Sequence, residues 1–181
     1  GAGAPMDTPF MTFFAEGLAD KGFRVGRFEF PYMAARRSGK RKPPDREPVL
    51  LDTWRSVIAD MTGPFAIGGK SMGGRMASLI ADEVGAAGLL CLGYPFVGVG
   101  GKENPKRTAH LATLKAPTLM CQGTRDPMGN AAYVKGLKLS RQVRLFWAED
   151  GDQVVAVDLV CEGGTTNGLA EDRESDAGDR R

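Results

Sequence analysis

Apolar and polar positions along this chain follow two rhythms in turn. From Pro9 to Asp20, the residues Phe10, Met11, Phe13, Phe14 and Leu18 recur at helical spacing, and Lys21-Gly22 closes the predicted helix. From Phe23 to Phe30 the rhythm changes to alternation: Phe23, Val25, Phe28 and Phe30 interleave with Arg24, Arg27 and Glu29, which predicts a strand stopped by Pro31. A loop follows, then a predicted helix from Val49 to Met61. A short apolar run beginning at Phe65 predicts a strand, followed by a helix reaching Val84. Strands are predicted at Gly88–Gly93, Pro117–Gln122 and Val143–Ala148, with a short helix near His110 and another from Asn130 to about Leu139. Strands separated by helices in this order predict a parallel sheet with helices on both faces. In such sheets the site lies at the carboxyl ends of the strands.

One strand-to-helix corner carries candidate chemistry. Gly69-Lys70-Ser71-Met72-Gly73 is a G-x-S-x-G sequence with a strand before it and a helix after it. A serine on so tight a turn needs small neighbours two positions away on each side, because strand and helix backbones nearly touch. The turn would present the Ser71 hydroxyl, and the Met72 amide behind it, to one reaction space, giving a nucleophile and half of an oxyanion hole. The plainer reading is a glycine turn whose serine caps the next helix. Gly-Lys-Ser also invites a phosphate-binding loop, but the required first glycine would fall on Pro64, which has no amide to offer a phosphate.

Composition adds boundaries. With 181 residues, 42% hydrophobic and 25% charged, the chain is long enough for one domain with a sizeable core. A net charge of +2 gives no reason to expect nucleic acid or a membrane as partner, and no apolar run approaches the roughly 20 residues of a membrane span. Three widely spaced cysteines, two of them in strand-like runs, predict buried thiols in a reducing, cytoplasmic setting, and their spacing suggests no metal site. The basic stretch Ala35–Pro48 is read as a solvated connection before it is read as an anion-attracting rim. The chain opens in a glycine-rich turn without an initiator methionine, so an upstream segment is expected. Its acid-, glycine- and arginine-rich end, from about Gly163, is expected to be disordered.

Several words, taken in order, resemble the α/β-hydrolase superfamily. They are Gly1-Ala2-Gly3-Ala4-Pro5-Met6-Asp7, Phe28-Glu29-Phe30-Pro31-Tyr32-Met33 and Gly68-Gly69-Lys70-Ser71-Met72-Gly73-Gly74-Arg75, followed by Leu92-Gly93-Tyr94-Pro95-Phe96, Arg107-Thr108-Ala109-His110-Leu111 and Gln122-Gly123-Thr124-Arg125-Asp126-Pro127. Within the superfamily they are similar to a cap-less branch of small bacterial hydrolases. That branch is related to dienelactone hydrolases and to a subunit of the NSL histone acetyltransferase complex. The resemblance implies a three-layer α/β-hydrolase core, truncated at the amino-terminal strand, over residues 1–152, with an atypical tail over 153–181. It implies Ser71 as nucleophile, Asp126 as triad acid, and the amides of Met72 and Ala2 as the oxyanion hole. Small esters or related acyl compounds are the expected substrates, and no metal or organic cofactor is implied.

The base is where the chain departs from this pattern. The family order is serine, acid, then histidine, with the histidine after a word like Glu149-Asp150-Gly151-Asp152; here Gln153 follows, and an amide cannot take the proton of Ser71. An altered reading frame from about residue 153 would account for the lost histidine and the lost terminal helix together. His110, the single histidine, is the alternative base, although a packed or hydrogen-bonded role suits it better. An impaired hydrolase is therefore expected. The second expectation, from a different class, is a catalytically silent hydrolase-fold module that acts through protein contacts.

Overall fold

The computed structural model of this chain describes residues 2–40 and 42–149, so the tail and Gln153 lie outside the described residues. Four parallel strands form one sheet in chain order: β1 (Ala66–Lys70), β2 (Gly88–Leu92), β3 (Thr118–Gly123) and β4 (Val143–Ala148). Their register pairs Gly69 with Cys91, Cys91 with Met120, and Met120 with Leu145. The helices are α1 (Pro9–Asp20), α2 (Pro31–Arg37), α3 (Glu47–Ile58), α4 (Met72–Ile80) and α5 (Ala131–Lys135). Short 3-10 turns occupy Val99–Gly101, Pro105–Arg107 and Ala109–Ala112.

Alternation along the strands sorts the core into two sides. Leu89, Cys91 and Met120 point into the larger cluster, which they share with Tyr32 and Met33 of α2, Leu50, Trp54 and Ile58 of α3, Met76 and Ile80 of α4, and Val134 of α5. Leu92 and Cys121 point the other way, onto Phe14 of α1, with Phe10, Leu90 and Leu119 packed around them. The sheet is thus a middle layer between α1 and the remaining helices. Met76, Ile80 and Met120 are wholly buried, each side chain contributing about 1.5–3 kcal/mol relative to exposure.

Two expectations need correction. Residues 23–30 form no strand of the sheet. Their alternation is used at one end only: Phe28 meets Trp54 edge-on at 4.6 Å between ring centres, and Phe28 and Phe30 pack on the core, whereas Phe23 and Val25 stay exposed. Among the described residues β1 is an outer strand bonded to β2, and no strand lies beside residues 23–30 to form a ladder. The second correction concerns Pro31, which opens helix α2 rather than a loop. Proline suits the first helical position because its missing N–H would have no partner there. The next amide, of Tyr32, donates to Asp45 Oδ2 at 2.8 Å, a cap supplied from 13 residues downstream.

Candidate active site at the carboxyl ends of the strands

The corner between β1 and α4 is built by contact between backbones. A Cβ on Gly68 would run into the Leu90 carbonyl oxygen of the neighbouring strand. One on Gly69 would lie 3.1 Å from the Gly73 carbonyl carbon, and one on Gly74 would lie 2.6 Å from the Gly69 carbonyl oxygen. The small residue demanded on the helix side is therefore Gly74; a Cβ on Gly73 would meet nothing within 4 Å. This approach leaves Ser71 at φ 52° and ψ −117°, the one non-glycine residue with positive φ among the described residues. Such a conformation costs on the order of 1–3 kcal/mol and persists where the surroundings fix it. Here the fixing bonds are Ser71 N–H to the Leu92 carbonyl at 2.8 Å and Arg75 N–H to the Ser71 carbonyl at 3.1 Å. Ser71 occupies the N-cap position of α4, but its hydroxyl makes no cap hydrogen bond.

Met72 is the first residue of α4, so its N–H has no acceptor within the helix. Its side chain packs against the core. Lys70 reaches the other side of the sheet, where its ammonium sits 4.4 Å from the centre of the Phe10 ring.

Asp126 lies just beyond the end of β3 and is 3% exposed. Its Oδ1 accepts from Met128 N–H at 2.8 Å and its Oδ2 from Gln122 Nε2 at 3.0 Å. The first bond is an Asx turn, so the turn-starter role open to an Asp-Pro pair is filled here, by a carboxylate that is also buried. Burial raises its pKa above the ordinary carboxylate value, and the Met128 amide acts against that rise. A Cβ placed on Gly93, at the end of β2, would be 3.8 Å from Asp126 Oδ2. Gly93 follows Leu92, whose carbonyl receives the Ser71 amide. Ser71 and Asp126 therefore both lie at the carboxyl end of β2.

The other two candidates have different partners. The Ala2 carbonyl accepts from the buried Tyr32 hydroxyl at 2.7 Å, and nearby Met6 N–H donates to Glu29 Oε1 at 3.0 Å. No hydrogen bond among the described residues joins Ala2 to Ser71 or Met72. His110 Nε2 lies 2.8 Å from Ser78 Oγ, and Ser78 also donates to the Arg75 carbonyl at 2.8 Å. Ser78 has one proton to give, and the His110 tautomer sets the direction of the bond between them. Ser78 stands seven residues beyond Ser71, about 10 Å along α4 at 1.5 Å per residue, so this engagement holds His110 away from the corner. Burial lowers the His110 pKa, and the Arg75 cation lowers it further. Gln122, which the sequence offered only as the first letter of a motif, proves to be wholly buried and bonded to Asp126. The available signal was an amide side chain at the end of an otherwise apolar strand.

The family of alpha/beta hydrolase domains matches residues 1–168. The chain belongs to that family and is a hydrolase-type domain, in agreement with the superfamily drawn from the motifs. The matched span continues past Asp152, where the motif words end. A protein of Xanthomonas campestris pv. campestris, assigned to the hydrolases of the alpha/beta superfamily, is 22% identical with a TM-score of 0.60 over 85% of each chain. The esterase domain of a Rhodothermus marinus protein is 17% identical with a TM-score of 0.59, over 81% of this chain and 71% of that one. At these identities the likeness is one of fold. No curated protein matches the chain. Among the described residues, no helix is long and apolar enough to cross a membrane, and no group of three or more His, Cys, Asp or Glu is placed to hold a metal ion.

Proposed function

We propose that this chain is organised for serine-dependent hydrolysis of small carboxylic esters or related acyl compounds, with Ser71 as nucleophile and Asp126 as the triad acid. The supporting observation is Ser71 itself, a strained residue at a helix start whose hydroxyl is not spent on the cap. In the reaction, Ser71 Oγ forms a bond to the carbonyl carbon while its proton passes to a base. The carbonyl oxygen becomes an oxyanion held by Met72 N–H and, from the loop at the amino end, Ala2 N–H. The carbon–oxygen bond to the leaving alcohol then breaks and the alcohol takes the proton; water repeats the sequence to release the acid. A base that serves Ser71 and is oriented by Asp126 fits between them. Two hydrogen bonds of about 2.8 Å and the width of an imidazole call for roughly 8 Å between the Ser71 and Asp126 oxygens.

The test is phosphonylation by a fluorophosphonate, with the modified peptide located by mass spectrometry. Label is expected on Ser71 and none is expected in Ser71→Ala. Equal labelling of the two proteins would sink the assignment. One observation favours the second reading, a silent module: the chain's single histidine is already engaged by Ser78.

His110 is accordingly assigned to stability. His110→Ala leaves the buried Ser78 with one fewer partner and should cost about 1–3 kcal/mol while leaving the site of phosphonylation unchanged. The sign of its pH dependence follows from the lowered pKa. The unfolded chain binds the proton first, so the stabilisation is present above the ordinary value of 6.5 and fades as pH falls below it. Urea titrations of the two proteins at pH 8 and pH 5 should show the gap between them narrowing at the lower pH.

A further inference from the structure

Gln122 is an uncharged side chain with no exposed surface, and it uses both ends of its amide. Its Oε1 accepts from Tyr94 N–H at 2.7 Å. Its Nε2 faces Asp126 Oδ2 at 3.0 Å, the Gly129 carbonyl at 3.1 Å and the Tyr94 carbonyl at 3.3 Å. Three acceptors around one nitrogen fix the orientation of the amide, because the flipped form would set its oxygen against three others. The two N–H bonds go to the nearer acceptors, Asp126 and Gly129, and the Tyr94 carbonyl shares at longer range. One side chain therefore ties the segment after β2 to the acid loop, and that segment includes Gly93, which lies against Asp126 Oδ2.

We propose that Gln122 is a positioning residue for Asp126: it holds the buried carboxylate ionised and fixed in rotation, with its unused lone pairs turned to the space between Asp126 and Ser71. This inference rests on the reading of Asp126 as the triad acid. The chemistry explains why an amide serves here. A carboxylate has about four acceptor positions, and Met128 N–H and Gln122 Nε2–H fill two of them, leaving others for an imidazole N–H. Both donors are neutral, so they offset the cost of burying the negative charge without quenching it with a cation. A cation at position 122 would compete with the imidazolium that forms in the reaction, and a carboxyl would compete for the proton. An aliphatic residue would leave the carboxylate short of a donor.

The experiment follows the carboxyl carbon of Asp126 by NMR in chain labelled with ¹³C-aspartate, with Asp126→Asn used to assign the resonance. Gln122→Glu keeps the shape and places a second carboxyl 3 Å from the first, where two such groups cannot both ionise readily. Its Asp126 titration should move up by about one pH unit or more, a tenfold change in proton affinity or larger. Gln122→Leu should move it in the same direction by removing a donor. If Gln122→Leu fails to fold, Gln122→Met takes its place, since it keeps the length of the side chain and removes the donor without adding a charge. An unshifted Asp126 titration in the folded variant that lacks the donor would overturn the proposal and reduce Gln122 to a loop fastener. The readout needs no turnover, so it separates the two ideas. If Ser71 is not phosphonylated but Asp126 still shifts, the catalytic assignment fails and the role of Gln122 in holding the carboxylate stands.

Discussion

Free imidazole is expected to raise Ser71-dependent ester hydrolysis by this chain by about tenfold or more, part of the roughly 10²–10⁴ that a positioned general base contributes. The strained serine, the unspent Met72 amide and the buried Asp126 carboxylate lie along one sheet edge, while the chain's single histidine is bonded to Ser78. Without a base, turnover of an activated ester should stay near the residual level of an incomplete triad, about 10³–10⁴ over water. On the proposed reading, imidazole entering beside Asp126 would act as the proton acceptor for Ser71. Its own attack on the ester is measured in Ser71→Ala and subtracted, and Asp126→Asn should blunt the gain. Efficient turnover without imidazole, abolished by His110→Ala, would instead make His110 the base.

The second large effect concerns folding. Gly68→Ala and Gly74→Ala should each destabilise the chain by about 1–3 kcal/mol or more, the range for overpacking a close contact. The atoms they would strike are carbonyl oxygens of the neighbouring backbone, which cannot move aside as a side chain tip can. Gly73→Ala is the control. It faces open space, and the change from glycine to alanine in a helix is worth up to about 1 kcal/mol in favour of folding. Thermal melts should place Gly74→Ala several degrees below the parent, at about 2–4 °C per kcal/mol for a chain of this size, and Gly73→Ala at or above it. Equal losses at positions 73 and 74 would mean that the close approach of Gly74 to Gly69 is not what constrains the corner.

How much could be read from the residues depends on how local each cause is. Helix α1 was legible because its apolar spacing and its Lys21-Gly22 ending are local signals; the Thr8 hydroxyl, which accepts from Met11 N–H, caps it as well. The strands β1 to β3 were legible because glycines and prolines bracket short apolar runs, and β4 because apolar residues cluster from Val143 to Ala148. Helix α2 was missed because its cap comes from Asp45, across a charged connection. The strand expected at residues 23–30 failed for a related reason: alternation reports which residues face the core, and a ladder also needs a neighbour. At the site, the corner around Ser71 was visible in its glycines, although the tight position is Gly74 rather than Gly73. The engagement of His110 by Ser78 and of Asp126 by Gln122 was not visible. The first joins residues 32 apart, and the second depends on how a loop folds back over the end of β3.

The two strand cysteines occupy opposite sides of the sheet, Cys91 beneath α4 with its sulfur 3.6 Å from the Gly74 carbonyl, and Cys121 beneath α1 against Phe14. Both are wholly buried. A thiol reagent can reach each one only when its own layer lifts, so the chain carries a separate gauge of opening for each face of the sheet. Modification at Cys121 reports detachment of α1, whereas modification at Cys91 reports loosening of the layer that carries the Ser71 corner. The relative rates rank the two layers in local stability, and they do so in the unaltered protein.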